Sequence, residues 1–256
     1  MTAEVEFEVD HGVGIITLRR PDKLNAVTKT MSAALFDLVE RVEADDDVRT
    51  LVVTGAGERA FCVGSDVAEV DVDADPWRFR NRRDYCDALR AIRLPVIAAV
   101  NGYAYGGGLE LALSCDIRLA ARHASFAAAE IKLGWIGGGG VSALLNASLA
   151  ASDAALMLLT GDPIDAAEAL RCGLVSRLYD GHELLDRAVE LARTIAARPP
   201  IAAQSAKANL LAARSMGLEP AIQYEREMQA VCMGTRDAAE GRHAFAEKRA
   251  PRFVGR

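Results

Sequence analysis

The stretch PVIAAVNGYAYGGGLELALSCD, residues 95–116, is the most informative part of this chain. Its short apolar run, Val96 to Val100, predicts a buried strand, and a glycine triplet follows at Gly106 to Gly108. A helix-forming segment begins there and carries Glu110 in its first turn. Because free N–H groups and the positive end of a helix dipole meet at such a turn, the stretch predicts a place that stabilises negative charge on a bound oxygen.

Two common anion-binding motifs do not fit the triplet. A phosphate-binding P-loop requires a Gly-Lys-Ser or Gly-Lys-Thr ending, whereas Leu109 and Glu110 follow Gly108. A dinucleotide-binding fingerprint requires a further glycine where this chain has Leu111. Taken alone, the triplet is also typical of a tight turn that packs a helix against a strand.

Strand and helix signals alternate on both sides of this stretch, which predicts an α/β fold. Alternating apolar residues at 5–9 and the apolar run at 13–18 predict a hairpin, and residues 28–44 predict an amphipathic helix. Further strands are expected at residues 51–54 and 117–120.

The sequence also indicates how the rest of the chain is organised. Residues 71–85 are polar and charged, which indicates either a mobile segment near a ligand or a solvated helix. From Ser142 onward the sequence is mainly helical, and Pro199–Pro200 interrupts it. We therefore predict a core domain at residues 1–198 and a helical lobe at residues 199–256.

Composition excludes several classes of protein. The 256 residues are 51% hydrophobic, which suits a soluble globular protein with a substantial core. A net charge of -6 without a basic patch argues against a nucleic-acid partner. No apolar run approaches the roughly 20 residues that cross a bilayer, and the acidic N-terminus lacks the features of a secretory leader. We therefore expect a cytoplasmic protein without a membrane partner.

Cysteine and histidine usage predicts no metal or redox cofactor. The five cysteines are scattered and form no CxxC pair, so we interpret them as reduced thiols. His182–Glu183 lacks the second histidine of an HExxH zinc motif.

A second short motif, AFCVGSDV at residues 60–67, carries Ser65 directly after a glycine. The GxSxG pattern of a nucleophilic serine is absent, and no histidine is an obvious partner. The backbone N–H of Ser65 is therefore the more useful group for chemistry. An ordinary Gly-Ser-Asp turn is the alternative interpretation.

These residues together resemble the enoyl-CoA hydratase (crotonase) family over nearly the whole chain. The run NGYAYGGGLELALSCD carries the resemblance most specifically. Other matching runs are RRPDKLNA, AFCVGSDV, AAAEIKLGW, TGDPIDAAEALRCGLVSRL and AFAEKR. The resemblance implies a crotonase-like spiral of ββα units, with a helical C-terminal region that contributes to homotrimers or dimers of trimers.

The resemblance also implies a coenzyme A thioester as the substrate, with no separate cofactor because coenzyme A is part of it. By position, the family's two backbone amides that bind the thioester oxygen fall on Ser65 and Gly107. The oxygen becomes enolate-like in the transition state, so preorganised donors favour that state over the ground state.

Glu110 and Glu130 match the two carboxylates of the family's hydratases. Hydration of a 2-enoyl thioester needs a water activated for attack at C3 and a proton delivered to C2, and two carboxyl groups can share these tasks. We assign Glu110 mainly to the water and Glu130 to the proton at C2, with a shared, concerted role as the alternative. From the residues alone, Glu110 also suits a charge at a helix N-terminus, and Glu130 a surface acid.

The resemblance implies a grip on coenzyme A as well. Lys23 occupies the place of a basic residue near the coenzyme A phosphates, and Lys248, with Phe245 beside it, resembles a C-terminal residue that often reaches coenzyme A from a neighbouring subunit. Solvated surface is the alternative interpretation of each lysine. Backbone contacts along the adenine and pantetheine path are expected from Asp66, Val67 and Ala68.

Two departures from the family pattern concern the acyl pocket. Gly137 replaces a proline and Val141 replaces a glycine, which leaves a flexible loop of four glycines beside Glu130. Tyr105 occupies the place of a smaller aliphatic residue and either narrows the acyl pocket or only packs.

The first functional hypothesis is hydration of a trans-2-enoyl-CoA to a 3-hydroxyacyl-CoA, because both acids are present. An isomerase, hydrolase or decarboxylase of the same superfamily is the second hypothesis. A catalytically weak acyl-CoA-binding member is the third, and the altered glycine loop motivates it.

Overall fold

Two β-sheets and eleven α-helices form the framework of the chain in the described residues. The computed structural model describes residues 4–70 and 75–256. The strands are β1 (Val5–Asp10), β2 (Val13–Leu18), β3 (Thr50–Gly55), β4 (Ala60–Cys62), β5 (Val96–Val100), β6 (Tyr103–Tyr105), β7 (Ile117–Ala121), β8 (Ser125–Ala127), β9 (Ile164–Asp165) and β10 (Arg177–Tyr179).

The larger sheet has the strand order β1-β2-β3-β5-β7-β10, and the smaller has the order β4-β6-β8-β9. The β1–β2 hairpin is antiparallel, and β2, β3, β5, β7 and β10 then pair in parallel. Every residue of β3 and β5 is buried, which explains why both strands are apolar without alternation.

The chain winds through the two sheets as a repeating unit. A strand of the larger sheet is followed by a short strand of the smaller sheet and then by helix, as in β3–β4, β5–β6 and β7–β8. The short strands β4, β6 and β8 pair in parallel in their turn. This is the expected spiral of ββα units, and the α/β class is confirmed.

The helices follow the same winding and then continue to the C-terminus. They are α1 (Lys29–Glu43), α2 (Pro76–Arg80), α3 (Tyr85–Ala91), α4 (Gly107–Leu113), α5 (Val141–Ser148), α6 (Ala151–Thr160), α7 (Ala166–Arg171), α8 (Leu184–Ala196), α9 (Pro200–Ala212), α10 (Leu218–Met233) and α11 (Arg236–Glu247). Helix α1 begins where Thr28 accepts a hydrogen bond from the Met31 N–H (3.0 Å), and it buries its apolar stripe against the core.

The local predictions are confirmed at the hairpin, α1, β3, β5, α4 and β7, within a residue or two at their ends. The strands of the smaller sheet were not predicted, because each has only two or three residues and no alternation to detect. In the polar stretch at 71–85, Pro76–Arg80 form a short helix, α2, which Asp75 caps. Residues 71–74 lie outside the described part of the chain.

The C-terminal helices begin at the predicted proline break, since α9 starts at Pro200. Lys207 of α9 is buried and donates to the Leu94 carbonyl (2.8 Å) and to Asp116 (2.9 Å), which anchors this helix beside β5. The division into a core and a lobe at 198/199 stays a prediction. No helix in residues 4–70 and 75–256 is long and apolar enough to span a bilayer.

Candidate active site

The glycine triplet forms the junction between β6 and α4. Gly106 has φ +54°, a left-handed conformation that glycine adopts without a steric penalty, and its N–H donates to the Ala127 carbonyl (2.9 Å). A Cβ on Gly108 would overlap the Cys62 carbonyl oxygen, so only glycine lets α4 lie this close to β4. The triplet therefore serves packing, and it also brings the amide of Gly107 close to the segment after β4.

The backbone of Gly64 and Ser65 lies against Gly107. A Cβ on Gly64 would lie 2.8 Å from the Gly107 nitrogen. Val27 pairs with this segment through the Gly64 carbonyl (2.8 Å) and the Asp66 N–H (2.9 Å), so the intervening Ser65 N–H points away from Val27. Within the described chain, neither the Ser65 nor the Gly107 N–H donates a hydrogen bond. We call these two N–H groups the amide pair.

Glu110, on the first turn of α4, is a buried carboxylate with two backbone donors. Its side chain is only 4% exposed, and Oε1 accepts from the N–H groups of Gly139 (2.8 Å) and Val141 (3.2 Å). Burial raises its pKa to about 7, against the lowering effect of the two amides, and Glu130 adds to the increase. Glu110 does lie in the first turn of a helix, as the sequence indicates, and it is buried there.

Glu130 follows β8 in a short 3-10 turn, Ala129–Leu133, and its carboxylate has a different environment. Both of its oxygens are buried, and neither has a hydrogen-bond partner among the described residues. Burial raises its pKa too. The two amide donors favour the anion of Glu110 but do not outweigh its burial, and the Glu130 carboxyl has no such donors among the described residues.

The two acids face one space beside the amide pair. A Cβ on Gly137 would lie 2.5 Å from Glu110 Oε1 and 3.0 Å from Glu130 Oε1, so these oxygens are no further apart than the sum of the two distances. One water with two hydrogen bonds of about 2.8 Å spans such a gap. A Cβ on Gly106 would lie 3.5 Å from Glu130 Oε1, which places this acid next to Gly107 as well.

The glycine loop at 137–140 lies beside Glu130 and also positions Glu110. Its Gly139 N–H holds the carboxylate, while the Gly139 carbonyl accepts from Arg90 Nη1 (2.8 Å) on α3. Arg90 also pairs with Asp87. Sequence reasoning missed Arg90, because a single arginine on a partly exposed helix carries no signal of its own.

The predicted coenzyme A residues form two groups. Lys23 is exposed on the 3-10 turn Pro21–Lys23, and its charge helps to lower the pKa of Asp66, whose main partner is Arg20 (3.0 Å). Asp66 also accepts from the Ala68 N–H (3.2 Å), so this carboxylate shapes the turn itself, while Val67 is 60% exposed. Lys23 and residues 66–68 thus form one surface next to Ser65.

Phe245 and Lys248 lie on and just after α11, which packs against α10. Phe245 is 87% exposed, and Lys248 ends the helix in a left-handed conformation. In the described chain, no hydrogen bond or ion pair joins either side chain to the two acids. Tyr105 is held at its hydroxyl by Ser125 (3.1 Å), in the smaller sheet.

The comparison with protein families agrees with this geometry. The family model described as enoyl-CoA hydratase/isomerase matches residues 8–256. The chain belongs to the enoyl-CoA hydratase/isomerase family. An (E)-benzylidenesuccinyl-CoA hydratase of Thauera aromatica is 38% identical over 253 residues, which cover 98% of this chain and 99% of that protein. A mitochondrial enoyl-CoA hydratase of Pongo abelii is 39% identical over 245 residues, covering 94% and 83%.

Solved structures of the enoyl-CoA hydratase/isomerase family confirm the crotonase fold. An enoyl-CoA hydratase from Bacillus anthracis superposes with a TM-score of 0.92 and 32% sequence identity, covering 99% of this chain and all of the other. These matches each cover 94% or more of this chain, so the resemblance extends over both the core and the C-terminal helices.

Proposed function

We propose that the protein is an enoyl-CoA hydratase, which adds water across the 2,3 double bond of a trans-2-enoyl-CoA to give a 3-hydroxyacyl-CoA. The observation that carries this proposal is that two buried carboxyl groups meet beside the amide pair, whose N–H groups donate to no other described residue. A water between the acids and a thioester oxygen at the amides would place C2 and C3 between them.

The amide pair serves as the oxyanion site in this proposal. When water attacks C3, electron density moves through C2 to the thioester oxygen, which becomes enolate-like. The N–H groups of Ser65 and Gly107 are fixed by the packing of Gly64 on Gly107, so they need no rearrangement as that charge develops. The loss of one such donor typically costs about 3–4 kcal/mol of barrier.

The two acids divide the proton transfers. Glu110, which two amides orient, acts in its ionised form and accepts a proton from the attacking water, whose oxygen forms the new bond to C3. Glu130, which has no donors among the described residues, gives its proton to C2. The product has gained one hydroxyl and one hydrogen, and a proton passed from Glu110 to Glu130 through the next water restores the starting state.

Coenzyme A is part of the substrate, and this chemistry needs no further cofactor. We assign Lys23 to the phosphates and the backbone of Asp66, Val67 and Ala68 to the adenine and pantetheine path. Phe245 and Lys248 complete this grip from a neighbouring subunit. The names of the relatives indicate different acyl groups, so membership of the family does not determine the acyl group of this protein's substrate.

A homotrimer or dimer of trimers accounts for the apolar surface of the C-terminal helices. Helix α10 buries none of its side chains in the single chain, and large apolar residues are exposed on and around it. They include Leu210, Leu218, Val231 and Met233. Sedimentation equilibrium tests this point, because a monomer at micromolar concentration would contradict it. We place the enzyme in the cytoplasm.

The test is an assay with crotonyl-CoA. The wild-type protein should remove the enoyl absorbance, and Glu110→Gln and Glu130→Gln should each lower kcat by about 10²- to 10⁴-fold. The matched control is Glu8→Gln, an equally isosteric change of an exposed acid on β1, which should leave kcat unchanged. Turnover of a 3-enoyl-CoA that survives Glu110→Gln would indicate an isomerase, and binding without any turnover an acyl-CoA-binding protein.

A further inference from the structure

Tyr85 is a buried phenol that the proposed mechanism does not use. It is the first residue of α3, directly after Asp84, whose side chain accepts from the Cys86 N–H (3.0 Å) and caps the helix. Only 6% of Tyr85 is exposed, and its ring packs in the main core. A core position of this kind needs an apolar ring, so the hydroxyl calls for a separate explanation.

The Tyr85 hydroxyl lies beside Gly107, one of the two residues of the amide pair. A Cβ on Gly107 would overlap the phenol oxygen, and the same Cβ would lie 3.2 Å from the Gly64 Cα. The Ser65 side chain lies near the phenol and partly offsets the increase of its pKa. The hydroxyl thus lies beside Gly107 and in the neighbourhood of Gly64 and Ser65, the residues that carry or position both N–H groups.

The phenol is in the right protonation state to donate. Burial raises its pKa well above the usual value, so it stays neutral at physiological pH. A phenol has one proton to give and can also accept. If the Ser65 hydroxyl donates to Oη, the proton of Tyr85 is left for a third partner.

We propose that the Tyr85 hydroxyl is a third donor to the thioester oxygen, beside the N–H groups of Ser65 and Gly107. This inference rests on the proposed function, because it assigns the thioester oxygen to that place. The hydroxyl donates to the oxygen most strongly when the oxygen carries the enolate charge, so it stabilises the transition state more than the substrate.

The first test is the kinetics of Tyr85→Phe, which removes one oxygen and keeps the ring. A hydrogen bond to a charged oxygen predicts a fall in kcat of about 10- to 100-fold with crotonyl-CoA, and little change in KM. The control is Tyr179→Phe on β10, a partly buried tyrosine that packs against the same core. It should retain the wild-type kcat.

The second test separates direct donation from an indirect effect through Ser65. Ser65→Ala keeps the N–H and removes only the hydroxyl that lies near Tyr85. If the phenol touches the substrate oxygen, Tyr85→Phe lowers kcat as strongly in the Ser65→Ala background as in the wild type. If Tyr85 only holds Ser65, the double variant is no slower than Ser65→Ala alone, and the proposal is wrong.

A binding measurement distinguishes hydrogen-bond donation by Tyr85 from a role in core packing alone. Acetoacetyl-CoA forms an enolate with a distinct ultraviolet absorbance, and a third donor should increase its enolate fraction on the protein. Tyr85→Phe should lower the equilibrium constant for enolate formation on the protein by about 10-fold or more, while Tyr179→Phe should leave it unchanged. An unchanged enolate fraction in a folded Tyr85→Phe protein would overturn the proposal.

If Tyr85→Phe does not fold, a tyrosine analogue of similar shape at position 85 provides the test. Site-specific 3,5-difluorotyrosine at position 85 keeps the hydroxyl and makes it a stronger donor, so the bound enolate fraction should rise. No increase would count against direct donation. Wild-type turnover of crotonyl-CoA is measured in the same series, so that a missing hydratase activity is distinguished from a missing role for Tyr85.

Discussion

Adding one methyl group at Gly137 should disable the pair of acids without removing either of them. The φ angle of Gly137 is not in the left-handed region, so alanine adopts this backbone without strain. Its Cβ, however, would lie 2.5 Å from Glu110 Oε1, 2.6 Å from Val141 Cγ1 and 3.0 Å from Glu130 Oε1. The Gly137→Ala change therefore acts through contacts alone.

The size of the effect follows from these distances. Ordinary Cβ contacts begin near 3.4 Å, so Glu110 Oε1 must move by roughly 1 Å or the loop must shift with it. A misplacement of this size costs about 10²-fold in rate, and overpacking costs about 1–3 kcal/mol of unfolding free energy.

The assay compares kcat for crotonyl-CoA and the melting temperature in three glycine variants. Gly137→Ala should lose about 10²-fold in kcat. Gly138→Ala should lose far less, because its Cβ meets only the flexible end of Arg82, at 2.7 Å. Gly217→Ala, whose nearest contact is 3.9 Å away, is the control. Wild-type kcat in a folded Gly137→Ala protein would refute the described geometry of the acids.

Three further predictions follow from the buried charges. The pKa of Glu110 is about 7 in the folded protein and near 4.5 in the unfolded chain, so its ionisation lowers the stability as the pH rises between these values. In denaturant titrations, the unfolding free energy of Glu110→Gln should therefore exceed that of the wild type by up to about 3 kcal/mol at pH 8, and by little at pH 4. Arg90→Gln should release the Gly139 loop and weaken the hydrogen bond from its N–H to Glu110, which raises the pKa of Glu110 and moves the acid limb of the pH–rate profile to higher pH. Arg90→Lys should retain part of the wild-type profile. Lys207→Met should lower the unfolding free energy by about 3 kcal/mol, since it leaves Asp116 without its cation, and an unchanged melting temperature would contradict that pairing.

The sequence predicted the framework where a local pattern carries it. The apolar run at 96–100 and the capped helix after Thr28 contain their own structural information, and both form as expected. The second sheet was missed because its strands are too short to have a period. Their positions depend on pairing between distant segments, such as Ala104 of β6 with Phe126 of β8.

The candidate site was predicted in part, and what was missed is tertiary. Glu110 and Glu130 are 20 positions apart and were predicted as a pair only through the family resemblance, since nothing local relates them. The glycine loop was interpreted as a flexible departure near Glu130. Instead, the N–H groups of Gly139 in the loop and of Val141 directly after it hold Glu110, and a Cβ on Gly137 would press on both acids.

The role of Tyr85 shows the same limit more sharply. A tyrosine at the start of a helix is an ordinary core residue in the sequence, and its relation to Gly107 exists only because α3 packs beside the turn into α4. Buried polar atoms next to a glycine with no room for a side chain are a signal that only coordinates provide.

The most direct measurement is a crystal structure of the protein with acetoacetyl-CoA bound. Our account predicts that the thioester oxygen lies about 2.7–3.1 Å from both the Ser65 and the Gly107 nitrogen, with the C3 oxygen between the carboxylates of Glu110 and Glu130. A thioester oxygen bound away from either amide, or carboxylates that face away from the C3 oxygen, would contradict the account.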